Sequence, residues 1–138
     1  MPPHAALDRT WLAVADNVPV ARHTVVRHLN EAATSDPPLN DVALAVSEAV
    51  TNVVHHAYVG RDPGPVRVRV EIGSHEIEVL IEDHGSGMVP RPDTPGLGLG
   101  WPLIATISER LDVHDRFDGG TRVSIWFSRD PEDATLES

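Results

Sequence analysis

The chain has 138 residues, of which 41% are hydrophobic, and this length and composition are typical of one folded domain rather than of a disordered segment. A net charge of −10 disfavours nonspecific binding to DNA or to anionic membranes, and the lack of cysteine excludes disulfides and thiolate metal sites. No apolar run approaches the roughly 18 residues of a membrane-spanning helix, and the N-terminus lacks the features of a signal peptide, so we expect a cytoplasmic location.

The first half of the chain predicts one short strand followed by two helices. Residues 1–8 are polar and contain prolines, and we expect a flexible N-terminus. The stretch TWLAV favours a strand, and Pro19 in a first turn marks the start of a helix whose apolar residues recur at helical spacing. After a loop, Asn40 or Asp41 caps a second helix that contains the sequence ALAVSEAVTNVVHHAY.

The second half predicts four strands and one short helix. VRVRVEIG and EIEVLIED alternate between apolar and polar residues, which indicates a sheet covered on one face only. A segment rich in glycine and proline leads into a short helix, WPLIATISE, and the strands RLDVHDRF and TRVSIWF are joined at DGG, a strong hairpin signal. This order predicts an α+β fold, a two-layer α/β sandwich with helices on one face of a mainly antiparallel sheet. We expect the domain to span residues 9–128 and residues 129–138 to form a flexible tail.

The second helix carries polar side chains opposite its apolar face. On a helical wheel Glu48, Asn52 and His55 cluster on one arc, and Glu48 and Asn52 are neighbours because they lie four residues apart. A carboxylate and an amide oxygen at this spacing suit Mg²⁺ that also binds phosphate oxygens, or Glu48 can remove a proton from a hydroxyl. Taken alone, the pattern is explained more simply by the solvated face of a surface helix.

Asp83 and the glycines after it end a predicted strand. The sequence DHGSG places the Asp83 carboxylate at the rim of the sheet, where it can accept a hydrogen bond from an exocyclic amine such as that of adenine. Gly85 and Gly87 lack a Cβ and so permit close approach of a flat ligand. A tight turn is the alternative, since Asp and Gly are common turn residues.

Two further glycine motifs precede the third helix and the last strand. The sequence GLGLG, residues 96–100, lets backbone N–H groups converge on an anion at a helix start, and a flexible connection is the alternative. Trp101 excludes the Rossmann pattern, and the absence of lysine excludes a Walker A loop. Thr121 follows paired glycines, where its hydroxyl can bind a base or a bridging water, or simply begin a strand.

These motifs occur in an order that is much more specific than any one of them. In chain order they are Glu48-x-x-x-Asn52, Asp83-x-Gly85-x-Gly87, Gly96-x-Gly98-x-Gly100 and Gly120-Thr121. The combination resembles the ATP-binding domain of the GHKL superfamily, which includes gyrase B, MutL, histidine kinases and anti-sigma-factor serine kinases. The strings LAVSEAVTNVVHHAY and GLGLGWPLIATISERLDV look most like the anti-sigma-factor serine/threonine kinase branch. The resemblance covers about residues 9–128 and implies the Bergerat fold.

The resemblance implies ATP and Mg²⁺ as cofactors and assigns roles to the matching residues. Asn52 would coordinate the Mg²⁺ that bridges the phosphates, and Glu48 would be the catalytic base, with a contact to the metal through water as a second option. Asp83 would bind the adenine amino group, and Thr121 would support Asp83 and the base. The other nucleotide contacts would fall on Gly85, Gly87, Met88, Gly96, Leu97, Gly98 and Gly100.

Residues 88–97 would form a mobile lid over the phosphates. A cation is expected there to neutralise charge on the γ-phosphate, and Arg91 is the candidate, although two neighbouring prolines can turn it away. Two functions therefore stay open. One is an ATP-dependent protein serine/threonine kinase, favoured by Glu48, that phosphorylates a small anti-anti-sigma protein of the STAS type. The other is an ATP-gated anti-sigma or adaptor module without turnover, favoured by the prolines on either side of Arg91, which can turn this cation away from the phosphates.

The resemblance implies an anti-anti-sigma protein, a sigma factor or both as partners, and a homodimer as one assembly. We expect no direct contact with nucleic acid or membrane. Neither a helix with a phosphoacceptor histidine nor a transducer domain is recognisable, so we do not expect a complete sensor histidine kinase, gyrase B or MutL. A structural domain without nucleotide is the third alternative.

Overall fold

The computed structural model describes residues 6–32, 39–86 and 100–129. In this part of the chain the strands and α-helices follow the predicted order, and one π-helical turn that was not predicted comes after the second helix. The elements are β1 (Leu7–Leu12), α1 (Asn17–Glu31), α2 (Leu39–Asn52), the π-helical turn (Val53–Ala57), β2 (Pro65–Ile72), β3 (Glu76–Asp83), α3 (Trp101–Ile107), β4 (Arg110–Asp115) and β5 (Thr121–Ser128).

The strands form one antiparallel sheet in the order β1-β2-β3-β5-β4. In β2 the side chains of Val66, Val68 and Val70 are fully buried, whereas Arg67 between them is exposed. Because side chains alternate along a strand, one face of the sheet meets the helices and the other meets solvent. The structure therefore confirms the predicted α+β class, with helices on one face of an antiparallel sheet.

β1 begins earlier than the sequence predicted. The predicted strand started at Thr10, after eight residues that were expected to be flexible, but β1 starts at Leu7, which pairs with Val70 of β2. Asp8 and Arg67 form a salt bridge with 2.7 Å between Asp8 Oδ2 and Arg67 Nη2. The two residues lie 59 positions apart in the sequence, so no local sequence pattern predicts this contact.

The apolar face of α2 packs the helix layer onto the sheet. Val42, Val46, Ala49 and Val50 have no exposed surface and belong to the same core cluster as Ile81 of β3. Each buried valine side chain contributes roughly 1.5–3 kcal/mol relative to an exposed one. This packing fixes the rotation of α2 about its axis and hence the direction of its polar residues.

The second helix does not end as the regular α-helix that the sequence predicted through residue 58. It widens into the π-helical turn at Val53–Ala57. The carbonyl oxygen of Ala57 accepts hydrogen bonds from the backbone N–H of Ser86 at 2.9 Å and from the hydroxyl of Ser86 at 3.3 Å. The turn thus joins the end of the helix to the loop after β3, and π-helical turns occur often at functional sites.

Candidate functional site

Asp83 lies at the end of β3 with its side chain on the face of the sheet that the helices cover. It pairs with Val66, which is fully buried on that face, and Asp83 itself is 1% exposed. Its Oδ1 accepts a hydrogen bond from the backbone N–H of Gly85 at 2.8 Å. Its Oδ2 is buried and has no hydrogen-bond partner among the described residues. Buried carboxylate oxygens are rarely left without a donor, so Oδ2 is suited to a donor supplied by a ligand or a water.

The surroundings of Asp83 act on its charge in opposite directions. Burial raises the pKa of the Asp83 carboxyl, whereas the backbone N–H groups of Gly85 and Thr121 and the nearby Arg116 and His84 lower that pKa. The net pKa lies above the ordinary value because the effect of burial prevails. A hydrogen-bond donor that reaches Oδ2 would therefore replace hydration that this carboxylate has lost.

Two glycines allow the backbone to come close to Asp83. A Cβ on Gly85 would collide with the carbonyl oxygen of Ala57, and a Cβ on Gly120 would collide with the carbonyl oxygen of Asp83. Gly120 also has a φ of 96°, a conformation that strongly favours glycine. The absence of a Cβ at Gly85 and Gly120 therefore allows the backbone around Asp83 to pack closely at one corner of the sheet.

Thr121 stands next to this corner at the start of β5. Its side chain is fully buried, and it pairs with Asp115 of β4. Its backbone N–H contributes to the stabilisation of the Asp83 carboxylate. The structure thus brings Asp83, Gly85 and Thr121 together, as the motif order led us to expect.

Glu48 and Gly100 meet on the other side of the site. Gly100 precedes α3 with a φ of 73°, and a Cβ on it would lie 2.6 Å from Oε2 of Glu48. Glu48 is partly exposed on α2, and Asn52, one turn further on, is 5% exposed. Asn52 is therefore a buried polar residue rather than part of a solvated helix face. This burial argues against the simpler explanation of the polar arc of α2.

The remaining predicted contacts lie outside the described residues. They are Gly87, Met88, Gly96, Leu97 and Gly98, together with the candidate lid cation Arg91. The described part of the site therefore consists of the corner at Asp83 and of the contact between Glu48 on α2 and Gly100.

Sequence reasoning missed two residues beside Asp83. The hydroxyl of Tyr58 accepts a hydrogen bond from the backbone N–H of His84 at 2.9 Å. The guanidinium of Arg116 donates to the carbonyl oxygen of Asp83 at 3.0 Å. Tyr58 is the last residue of HHAY, before a turn rich in Gly and Pro, and Arg116 comes shortly before the DGG hairpin. Their positions next to turns are the only features of the sequence that could have indicated them.

Comparisons with known proteins place the chain among its relatives. The family model of the histidine kinase-like ATPase domain matches residues 12–127. The anti-sigma F factor of Clostridium beijerinckii is 31% identical over 126 residues, which cover 83% of this chain and 88% of that protein. The anti-sigma F factor of Clostridium novyi is 32% identical over 124 residues, which cover 82% of this chain and 87% of that protein.

A solved structure shares the fold. The RsbU and RsbW domains of Rv1364c from Mycobacterium tuberculosis match with a TM-score of 0.69 and 18% identity. The match covers 91% of this chain and 32% of that chain, so this protein spans about a third of the solved one. Together with the family model and the two relatives, these findings confirm the resemblance that the motifs suggested. The chain belongs to the histidine kinase-like ATPase family, on its anti-sigma-factor branch.

Proposed function

We propose that this protein is an ATP-binding anti-sigma regulator that transfers the γ-phosphoryl group of ATP to a serine or threonine of a small partner protein. The family supports ATP binding, and the name of the similar proteins, anti-sigma F factor, supports a sigma factor as a binding partner. An anti-anti-sigma protein of the STAS type as the phosphate acceptor follows from the motif resemblance. In the described part of the chain no helix is long and apolar enough to cross a membrane. We propose a cytoplasmic location.

The observation that carries this proposal is the Oδ2 atom of Asp83, buried and without a partner among the described residues. The exocyclic amine of adenine donates hydrogen bonds and fits such an acceptor. The corresponding position of guanine is a carbonyl oxygen, which a carboxylate repels. Asp83 is therefore proposed to select adenine over guanine, because adenine presents a hydrogen-bond donor at this position and guanine does not.

The opposite corner of the site is proposed to bind the phosphates. Mg²⁺, when bound, would neutralise charge on the phosphate oxygens. Asn52 offers an amide oxygen, a ligand type that Mg²⁺ accepts. Gly100 immediately precedes α3, and backbone N–H groups at a helix start can bind an anion. The residues present thus fit a magnesium nucleotide.

Glu48 is proposed to act as the general base. The acceptor hydroxyl would form a bond to the γ-phosphorus while the bond from that phosphorus to the bridging oxygen breaks. The hydroxyl proton would pass to the Glu48 carboxylate, and ADP would leave. Gly100 supports this role because its missing Cβ allows the backbone at this one position to lie against Glu48 Oε2.

An ATP-gated adaptor without turnover is the second candidate. The similar proteins carry a name that describes binding to a sigma factor and not phosphoryl transfer. In that case nucleotide would shift the protein between two conformations, and partner affinity would follow the conformation. Glu48 would then be replaceable without loss of function.

Phosphoryl transfer from labelled ATP separates the two candidates. With a STAS-type partner protein as acceptor, we expect Glu48→Gln to retain ATP affinity and to slow transfer by about two to four orders of magnitude, the usual contribution of a general base. Glu31→Gln, on the exposed end of α1, is the matched control and should transfer at the wild-type rate. Equal transfer by the Glu48 variant and the wild type would remove Glu48 from this role. Sigma-factor capture with ATP but without any transfer would establish the adaptor.

A further inference from the structure

The peptide group between Asp83 and His84 is held from both sides by side chains. On one side, the carbonyl oxygen of Asp83 accepts a hydrogen bond from Arg116 Nη1 at 3.0 Å. On the other side, the backbone N–H of His84 donates to the hydroxyl of Tyr58 at 2.9 Å. A peptide group is planar, so two partners at opposite edges fix the orientation of the whole unit.

The Tyr58 hydroxyl is itself fixed. It donates a hydrogen bond to the carbonyl oxygen of Pro65, at the start of β2, at 2.6 Å. Tyr58 is 9% exposed, and its ring packs against Gly64, where a Cβ would lie 2.5 Å from the ring. The guanidinium of Arg61 lies 5.5 Å from the ring centroid. The hydroxyl therefore joins the start of β2 to the end of β3 through a side chain with little freedom.

The Arg116 guanidinium is oriented by two carboxylates. Its Nε lies 3.8 Å from Oε2 of Glu82, and its Nη2 lies 3.3 Å from Oδ2 of Asp118. With these two groups occupied, Nη1 points at the carbonyl oxygen of Asp83 and at the ring of His84, whose Nδ1 is 3.0 Å away. The side chain of Arg116 is 18% exposed, so water competes only weakly for these contacts.

We propose that Tyr58 and Arg116 are positioning residues that hold the Asp83–His84 peptide and thereby set the preference of the site for adenine. The proposal rests on the proposed nucleotide site. The turn that follows this peptide group lets the Gly85 N–H reach Oδ1 of Asp83, which leaves Oδ2 directed at the ligand. If the peptide group rotates, the Gly85 N–H no longer reaches Oδ1, and Oδ2 no longer points at the ligand. A hydrogen bond weakens steeply as the angle at its donor hydrogen departs from linear.

The test is the ratio of the Kd for GTP to the Kd for ATP, measured by calorimetry with Mg²⁺. We expect Tyr58→Phe, which keeps the ring and removes the hydroxyl, and Arg116→Ala each to lower this ratio by about tenfold, the value of one lost hydrogen bond. Arg116→Lys should recover part of the ratio because an ammonium can still donate to the Asp83 carbonyl. A merely structural loosening would weaken both nucleotides by one common factor and leave the ratio unchanged.

Arg122→Ala is the matched control. Arg122 bonds the same Glu82 carboxylate, with its Nε and Nη2 both 3.2 Å from Oε2, and has no hydrogen bond to the Asp83–His84 peptide among the described residues. We expect this variant to keep the wild-type ratio. If Tyr58→Phe fails to fold, the two Arg116 variants decide the question.

The outcomes separate this inference from the proposed function. A wild type that prefers ATP, with variants at Tyr58 and Arg116 that keep its ratio, would overturn the positioning role and leave the nucleotide site standing. A wild type without any preference for ATP over GTP would overturn both.

Discussion

Asp83 is a residue whose placement suits a ligand better than it suits the fold. The residue is 1% exposed, and one of its carboxylate oxygens has no hydrogen-bond partner among the described residues. Burial raises the pKa of this carboxyl despite the opposing N–H groups of Gly85 and Thr121. A carboxyl whose pKa is raised on folding lowers stability when it ionises, so stability falls as the pH rises through the pKa of the folded state.

Asp83→Asn should therefore stabilise the protein without nucleotide. We expect a higher free energy of unfolding than the wild type at neutral pH, because the amide buries no charge and can still accept from Gly85. The advantage should shrink as the pH falls through the pKa of the folded state and should disappear below the ordinary pKa of 3.8, where the wild-type carboxyl becomes protonated in both states. Urea unfolding of both proteins from about pH 4 to pH 8 measures the difference.

The control for this prediction is Asp112→Asn on β4, where the side chain is 46% exposed. It should shift stability little, because charges at exposed positions contribute little to folding. A less stable Asp83→Asn variant at neutral pH would show that the carboxylate supports the fold, and the site would then lose its main argument.

At the scale of elements, the turn before β5 decides how closely β5 approaches the end of β3. Gly119 and Gly120 both have positive φ, 100° and 96°. A Cβ on Gly119 meets nothing within 4 Å, whereas a Cβ on Gly120 would collide with the Asp83 carbonyl. A residue with a Cβ would be strained by the positive φ at either position, but only at position 120 would its Cβ also collide with the backbone.

Alanine substitution at these two glycines separates the effects. Gly119→Ala should lower the free energy of unfolding by about 1–2 kcal/mol through strain alone. Gly120→Ala should cost about 1–3 kcal/mol more, because β5 must move away from Asp83. Thermal and urea unfolding of both variants test this, and equal losses would contradict the close approach.

The sequence predicted most elements but not their contacts. Alternation in β2 and β3 and the DGG hairpin are local signals, and they led to the correct element order. The π-helical turn at Val53–Ala57 was missed because it depends on the hydrogen bonds between Ala57 and Ser86, residues 29 positions apart. Tyr58 and Arg116 were missed for the same reason, because their hydrogen bonds to the peptide group between Asp83 and His84 form only in the folded chain.

At the scale of the whole molecule, strand order is the part that local patterns could not supply. β3 pairs with β5 across an intervening helix and strand, and this pairing places Thr121 beside Asp83. The order of the motifs predicted that Thr121 and Asp83 lie close together, because the resemblance to the family implies its fold. The roles assigned to Glu48, Asn52 and Asp83 stay predictions.

Nucleotide should stabilise the folded molecule as a unit. With Mg·ATP at about one hundred times its Kd, the free energy of unfolding should rise by about 2.7 kcal/mol, since the ligand binds only the folded state. Tm should then rise by about 5 °C or more, and Mg·GTP at the same concentration should raise it less. A thermal scan with each nucleotide measures this, and an unchanged Tm with Mg·ATP would favour a domain without nucleotide.

The central claim is that Asp83 Oδ2 accepts a hydrogen bond from an adenine amine. A crystal structure with Mg²⁺ and a non-hydrolysable ATP analogue tests it directly. We predict the exocyclic nitrogen of the base within about 2.7–3.2 Å of Oδ2, with the Gly85 N–H still on Oδ1. A base bound elsewhere, or Oδ2 paired with a side chain of the protein while the analogue is bound, would contradict the account.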